Sequence, residues 1–178
     1  TMEVPKYIKI DTTTGTWSMV TDSSIEFVPS ETAIAVTPTN NGSNGAELIA
    51  KYINVAPEDF ALIVTWLCHA WIPEEDMMYV ILQLLGAKGS GKTSSMVYSK
   101  MIVDPNENEK FSYPEGQRTI ETIGLAHASH EWLLDYDNVS YIKNDVSDLF
   151  CALSTGITMA FRRLYTDSDQ MSLRFKRP

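Results

Sequence analysis

The chain has 178 residues, 44% of them hydrophobic, with four tryptophans and a net charge of −9. That apolar content can fill a core and excludes intrinsic disorder, and the negative balance excludes a surface that binds nucleic acid indiscriminately. The charge is uneven, because residues 161–178 hold five Lys/Arg and two Asp, a net +3, which leaves −12 for the rest. Cys68 and Cys151 each sit in an apolar stretch and are expected as reduced core thiols. No secretory signal opens the chain, and the run Phe60–Trp71 is too short to span a bilayer. A soluble cytoplasmic protein with no membrane partner is the expectation.

The first forty residues alternate β-type stretches with turn residues. YIKI (Tyr7–Ile10), TWSMV (Thr16–Val20), SIEFV (Ser24–Val28) and AIAV (Ala33–Val36) predict a small antiparallel meander. The tract TPTNNGSNG, Thr37–Gly45, reads as a linker. The chain therefore divides into a meander with its linker over 1–44 and a second unit over 45–178. A short helix is expected over Ala46–Ile53. A longer one runs from Pro57 to Trp71, where proline and two acids mark the first turn and Pro73 ends it. Its apolar residues lie on nearly every face, which predicts burial between layers with Trp66 and Trp71 in the core.

From Met77 the pattern becomes strand, loop, helix. MMYVILQLLG reads as a strand buried in a parallel sheet, and KTSSMVYSKMIV as a helix reaching to Asp104-Pro105. RTIETIGLAHASH suits a helix, EWLLDYDN a second buried strand, VSDLFCALSTG a helix closed by Gly156, and MSLRFK a last strand. Strands alternating with helices predict an α/β fold of the P-loop NTPase type, a parallel sheet flanked by helices and preceded by the meander.

Gly86-Ala87-Lys88-Gly89-Ser90-Gly91-Lys92-Thr93 matches G-x-x-x-x-G-K-[ST], and it lies between an apolar strand and a helix, the context the motif requires. Glycines allow successive N–H groups to turn toward one anion, and the following helix adds its positive end. The expected nucleotide-binding residues are Gly86, Ala87, Lys88, Gly89, Ser90, Gly91, Lys92, Thr93 and Ser94. Lys92 is expected to face solvent and to reach the β- and γ-phosphates, and the Thr93 hydroxyl to bind Mg²⁺. ATP and Mg²⁺ are thus the cofactors the sequence calls for.

A second Mg²⁺ anchor is normally an Asp at a neighbouring strand end. Asp135 and Asp137 stand two apart on one side of the predicted strand, with Asp137 the first choice and Asp135 the second. The next residue is Asn138, where many hydrolysing ATPases carry a glutamate. An amide orients water but cannot take its proton, so hydrolysis is expected to be slow or to draw its base from Asp135 or Glu131.

NVAPEDFALIVTWLCHAWIP, GAKGSGKTSS, MIVDPNE, DYDNVS, VSDLFCALSTG and RRLYTD occur in this order. In this the chain resembles ATP-binding proteins of bacteriophages and integrating elements, which are themselves similar to the ATPase domains of replicative primase-helicases of the AAA+-like superfamily-three type. The resemblance covers about Asn54 to Pro178. It implies nucleotide binding by Gly86–Thr93 and Mg²⁺ at Asp137. Relatives tend to carry a glycine pair after the threonine where this chain has Thr155-Gly156-Ile157-Thr158. They also continue beyond Arg174–Pro178 into a strand with a γ-phosphate sensor, so the ATPase core is expected to be truncated at its C-terminus.

Arg162 and Arg163, followed by Tyr165, suit an arginine finger across a subunit boundary, a DNA contact, or a solvated basic face. His127 and His130 have helical spacing beside Glu131, but the segment reads as structural rather than as a metal site. Thr166–Asp169 lacks the later Gly and Glu of a calcium loop and reads as a turn. The leading function is an ATPase module of mobile-element DNA replication, of helicase or translocase kind. It would be homo-oligomeric when full length and at most weakly so as this piece, with DNA as a partner of the whole. A nucleotide-dependent switch with weak hydrolysis is the second reading and a small-molecule kinase the third.

Overall fold

The computed structural model describes residues 7–11, 13–21, 32–39, 44–72, 76–107, 111–114, 119–162 and 170–178. Strands β1 (Tyr7–Asp11) and β2 (Thr16–Val20) pair antiparallel, with Tyr7 opposite Val20 and Asp11 opposite Thr16. The Asp11 carboxylate closes the turn by accepting from the Thr13 and Thr14 amides at 2.9 and 3.3 Å. Those hydrogen bonds, led by Thr13, hold its pKa below the usual carboxylate value. The expected meander is thus a hairpin among the described residues. SIEFV lies outside them, and of AIAV only Ala33 bridges, to Asn106.

Helix α1 (Gly45–Ile49) starts at Asn44, whose side chain accepts from the Ala46 amide, satisfying one free N–H of the helix start, and also donates to the Glu47 carboxylate. Helix α2 (Pro57–Trp71) has the predicted bounds but buries only one stripe, Ile63, Leu67 and Ala70. That spacing of four and three residues places them on one face, so the expectation of burial on every face fails. Leu62 is 67% exposed and Trp71 44%, while Trp66 is half-buried. Both indoles reach neighbours through their N–H groups, Trp66 to Val80 O and Trp71 to Ile102 O. Pro73 lies outside the described residues.

Residues 77–86 join no ladder among the described residues, and Val80, Ile81 and Leu85 are exposed. They differ from the buried parallel strand expected there because the bonds to neighbours, Trp66 on Val80 and Ser154 on Tyr79, hold only part of the segment. The Tyr79 amide donates to Ser154 O, and the Tyr79 hydroxyl to Ile72 O. Helix α3 (Lys92–Val103) follows the glycine loop with its expected bounds. The described parallel pairing joins β3 (Phe111–Ser112) to β4 (Tyr136–Asp137). Between them, α4 (Thr119–Glu121) runs into a π-helical turn over Thr122–His127.

Helix α5 (Asn144–Thr155) ends at Gly156, whose φ of 103° is closed to most side chains. Strands β5 (Ile157–Arg162) and β6 (Gln170–Phe175) then form an antiparallel hairpin, Ile157 opposite Phe175. The last strand was legible, its partner and direction were not. Two hydrophobic clusters result. Ile53, Ile63 and Leu67 pack with Leu82, Leu84, Ile102 and Val103, and Ile123, Ala128, Val146, Leu149, Leu153 and Phe175 form the other. Cys68 and Cys151, expected in the core, are both exposed. Cys68 follows Leu67 on the outward side of α2, and Cys151 lines a cleft beside α5. Among the described residues no helix is long and apolar enough to cross a membrane.

Candidate functional site

A cleft of about 910 Å³ separates the two clusters. One wall is formed by Ile81–Gly86 and the start of α3, with Lys92 and Thr93. The other is formed by Leu133–Ile142, with Asp135, Asp137 and Asn138.

On the first wall the loop closes tightly on itself. A Cβ on Gly86 would stand 2.8 Å from Ser90 Oγ, so a larger residue there would have to turn that hydroxyl aside. Gly91, with φ of 84°, turns the chain into α3. Lys92 is half-buried rather than solvent-facing, and its ammonium donates to Gly86 O at 2.8 Å and Ala87 O at 2.7 Å, with Ser90 Oγ at 3.4 Å. Its charge is thereby placed inside the curve of the loop. Ala87, Lys88, Gly89 and Ser94 are exposed around it.

Asn54 fastens this loop from outside. Its side-chain Nδ2 donates to Ser90 O at 2.8 Å and its backbone N–H to Ser95 Oγ at 3.3 Å. It was not among the residues picked from the sequence. The one signal available was an asparagine just before the Pro57 helix start, too common a pattern to single it out.

Across the cleft the Thr93 hydroxyl faces the Asp137 carboxylate, 3.3 Å from each oxygen. Asn138 adopts φ of 59°, and its backbone N–H donates to Asp137 Oδ1 at 2.9 Å, which orients that carboxylate toward α3. Hydroxyl and carboxylate are the hard oxygen donors that Mg²⁺ takes, and the loop with its ammonium suits phosphate oxygens. The residues present fit both groups.

Asp135 is placed differently. It is buried and accepts from Lys100 at 3.0 Å, while Lys100 also bonds Glu131 and donates to Leu133 O at 2.8 Å. One buried cation faces two carboxylates. Burial, opposed by the Lys100 charge, raises the Asp135 pKa to about 6. Lys100 was also missed, although its spacing was visible. It follows Thr93 by seven residues, two turns along one helix face, and Glu131, Leu133, Asp135 and Asp137 alternate on one side of an extended chain.

His127 stacks on Phe111 with centroids 3.8 Å apart and bonds the Tyr136 hydroxyl at 2.8 Å, while His130 is exposed. Burial lowers the His127 pKa, and burial raises that of Tyr136. This aromatic group lies behind β4 and braces it. Arg177 packs over Trp132 at 5.4 Å and donates to Ala128 O, and burial lowers its pKa. Arg162 ends β5, and Arg163 and Thr166–Asp169 lie outside the described residues.

The structure therefore brings together Gly86–Thr93, Asp137 and Asn138, and turns Asp135 away onto Lys100. No curated protein and no solved structure matches the chain. The model of a family described as the actinomycete integrative conjugative element replication protein matches residues 47–178, a stretch that holds every residue of the cleft. With well over half its length matched, the chain belongs to that family and is a replication protein of an integrative conjugative element.

Proposed function

We propose that this replication protein works through nucleotide binding, as an ATPase module of helicase or translocase kind on an α/β core of P-loop NTPase type. The observation that carries the reading is the approach of the Thr93 hydroxyl to the Asp137 carboxylate, next along the chain from Lys92 with its ammonium on the loop. Two oxygen donors and one cation, drawn from α3 and β4, line one cleft at the start of a helix. In that reading the backbone of Gly86–Gly91 and the Lys92 ammonium hold phosphates, while Thr93 and Asp137 hold Mg²⁺. Bound ATP and Mg²⁺ supply the phosphoanhydride to be cleaved and the metal's neutralising charge. Arg162 or Arg163 would serve a neighbouring subunit or the DNA.

A second reading, a nucleotide-dependent switch with weak hydrolysis, is favoured by the carboxylates. Asn138 cannot accept a proton from water, and both candidate substitutes, Asp135 and Glu131, are turned onto Lys100. A motor needs a water-activating group that these residues do not offer.

Titration calorimetry with ATP, with and without Mg²⁺, tests the common part. Binding that tightens with Mg²⁺ is expected, and no binding in either condition overturns the reading. Turnover measured with and without single-stranded DNA separates the two forms, since DNA-stimulated hydrolysis belongs to the motor and occupancy without turnover to the switch.

A further inference from the structure

Lys100 is wholly buried, with Glu131 and Asp135 almost equally so. Its ammonium binds Glu131, Leu133 O and Asp135, three alternate positions of the segment that leads into β4. Helix α3 runs back along that segment, Thr93 meeting Asp137 at one end and Lys100 meeting Glu131 to Asp135 at the other. Seven helical residues rise about 10.5 Å. The four residues from Leu133 to Asp137 reach at most about 13 Å. The two attachment points are thus separated by comparable lengths on the two elements, so holding one restricts the other.

We propose that Lys100 is a positioning residue of the cleft, tying α3 to residues 131–135 so that Asp137 is held within reach of the Thr93 hydroxyl. The inference rests on the nucleotide reading for its purpose but not for its geometry. Stability alone does not account for the triad. A buried ion group recovers little of its desolvation cost, and apolar side chains of the same volume commonly serve as well. What charge adds is direction. Three acceptors converge on one nitrogen, which leaves little freedom for α3 to slide along the segment. Among the described residues the second oxygen of Asp135 has no hydrogen-bond partner, while its first accepts from Lys100.

The test uses a disulfide as a ruler. Thr93→Cys and Asp137→Cys are combined in a chain carrying Cys68→Ser and Cys151→Ser, because both native thiols are exposed. Cross-linking under mild oxidant is followed by mass spectrometry. The same pair is then placed in a chain with Lys100→Met, Glu131→Met and Asp135→Leu, which keeps volume and removes charge. We expect cross-linking to slow about tenfold in the apolar triple, the size of effect seen when a supporting contact of a metal site is lost. With Thr93 and Asp137 restored, the triple should lose about tenfold of the Mg²⁺ enhancement of ATP affinity, while affinity without Mg²⁺ stays unchanged, a split that general destabilisation does not produce. Should the triple not fold, Asp135→Asn, which keeps the Lys100–Glu131 pair, should slow cross-linking several-fold. An unchanged rate in a folded variant overturns the inference. Slower cross-linking in a chain that binds no ATP would uphold the tie and overturn the nucleotide reading instead.

Discussion

Among the described residues, the wall that carries the phosphate loop packs three buried apolar residues, Ile53, Ile63 and Leu67, whereas the wall that carries Asp137 packs six, from Ile123 to Phe175. The first wall takes most of its shape from bonds within a short stretch of chain, Lys92 on Gly86 and Ala87 and Gly91 at the helix start, with Asn54 clamping it from outside. The second takes its shape from distant partners. Asp104, just past the end of α3, accepts from the Trp132 and Leu133 amides, Trp132 donates to Ala70 O, and Lys100 holds Asp135. A binding loop can thus be built by local chemistry on a thin core. A single carboxylate aimed across a cleft needs a thick core and a cross-tie.

The largest effect should come from the cores themselves. Leu153→Ala is expected to cost about 3–4 kcal/mol in urea unfolding, and Leu67→Ala on the thinner wall about 2 kcal/mol. Equal losses would erase the contrast between the walls.

The second concerns acidity on the carboxylate wall. Asp135 has a folded-state pKa of about 6 against an ordinary 3.8, so the folded protein holds this proton more tightly than the unfolded chain. Its contribution favours folding below about pH 4, falls away as pH rises toward 6, and is a constant cost above that. Asp135→Asn should therefore gain stability relative to the parent between pH 4 and 6.5, by at most about 3 kcal/mol. His127 has the opposite slope, since burial lowers its pKa. It is present in both proteins and cancels in the difference. A flat difference across this range would show that Lys100 already compensates the charge.

On the loop wall, Lys92→Ala should weaken ATP about a hundredfold, roughly 2.7 kcal/mol, with little change in melting temperature. Its bonds are to neutral carbonyls near the surface, so little folding energy rests on it. A melting temperature that fell with affinity would make Lys92 a structural residue.

Asp137→Asn should remove about tenfold of the Mg²⁺ enhancement of binding, and Asp135→Asn only a few-fold. The reverse ranking would return Asp135 to the metal. The smallest effect is expected at Asn54, where Ala removes the clamp on Ser90 O. A few-fold loss of ATP affinity, about 1 kcal/mol, should appear in calorimetry with and without Mg²⁺ alike. A loss confined to Mg²⁺ would place Asn54 with the other wall.

Much of the helical framework was legible in the sequence. Pro57 and its acids started α2, the glycine loop started α3 and Asp104-Pro105 followed its end, and Gly156 closed α5, each through bonds made within a few residues. The spacing of the phosphate-loop residues was likewise local, and it led to Thr93 and Asp137, which do meet. Burial was not legible. Cys68 and Trp71 belong to an apolar run, yet which side of α2 faces the core depends on where Leu82, Leu84 and Ile102 lie. Strand pairing escaped for the same reason. MSLRFK reads as a strand in any context, but its antiparallel register with Ile157–Arg162 is a choice among partners. The Lys100 tie shows this limit most directly. Its acceptors lie 31 and 35 residues away at Glu131 and Asp135, and only packing of α3 along that segment removes enough water for their charges to govern position.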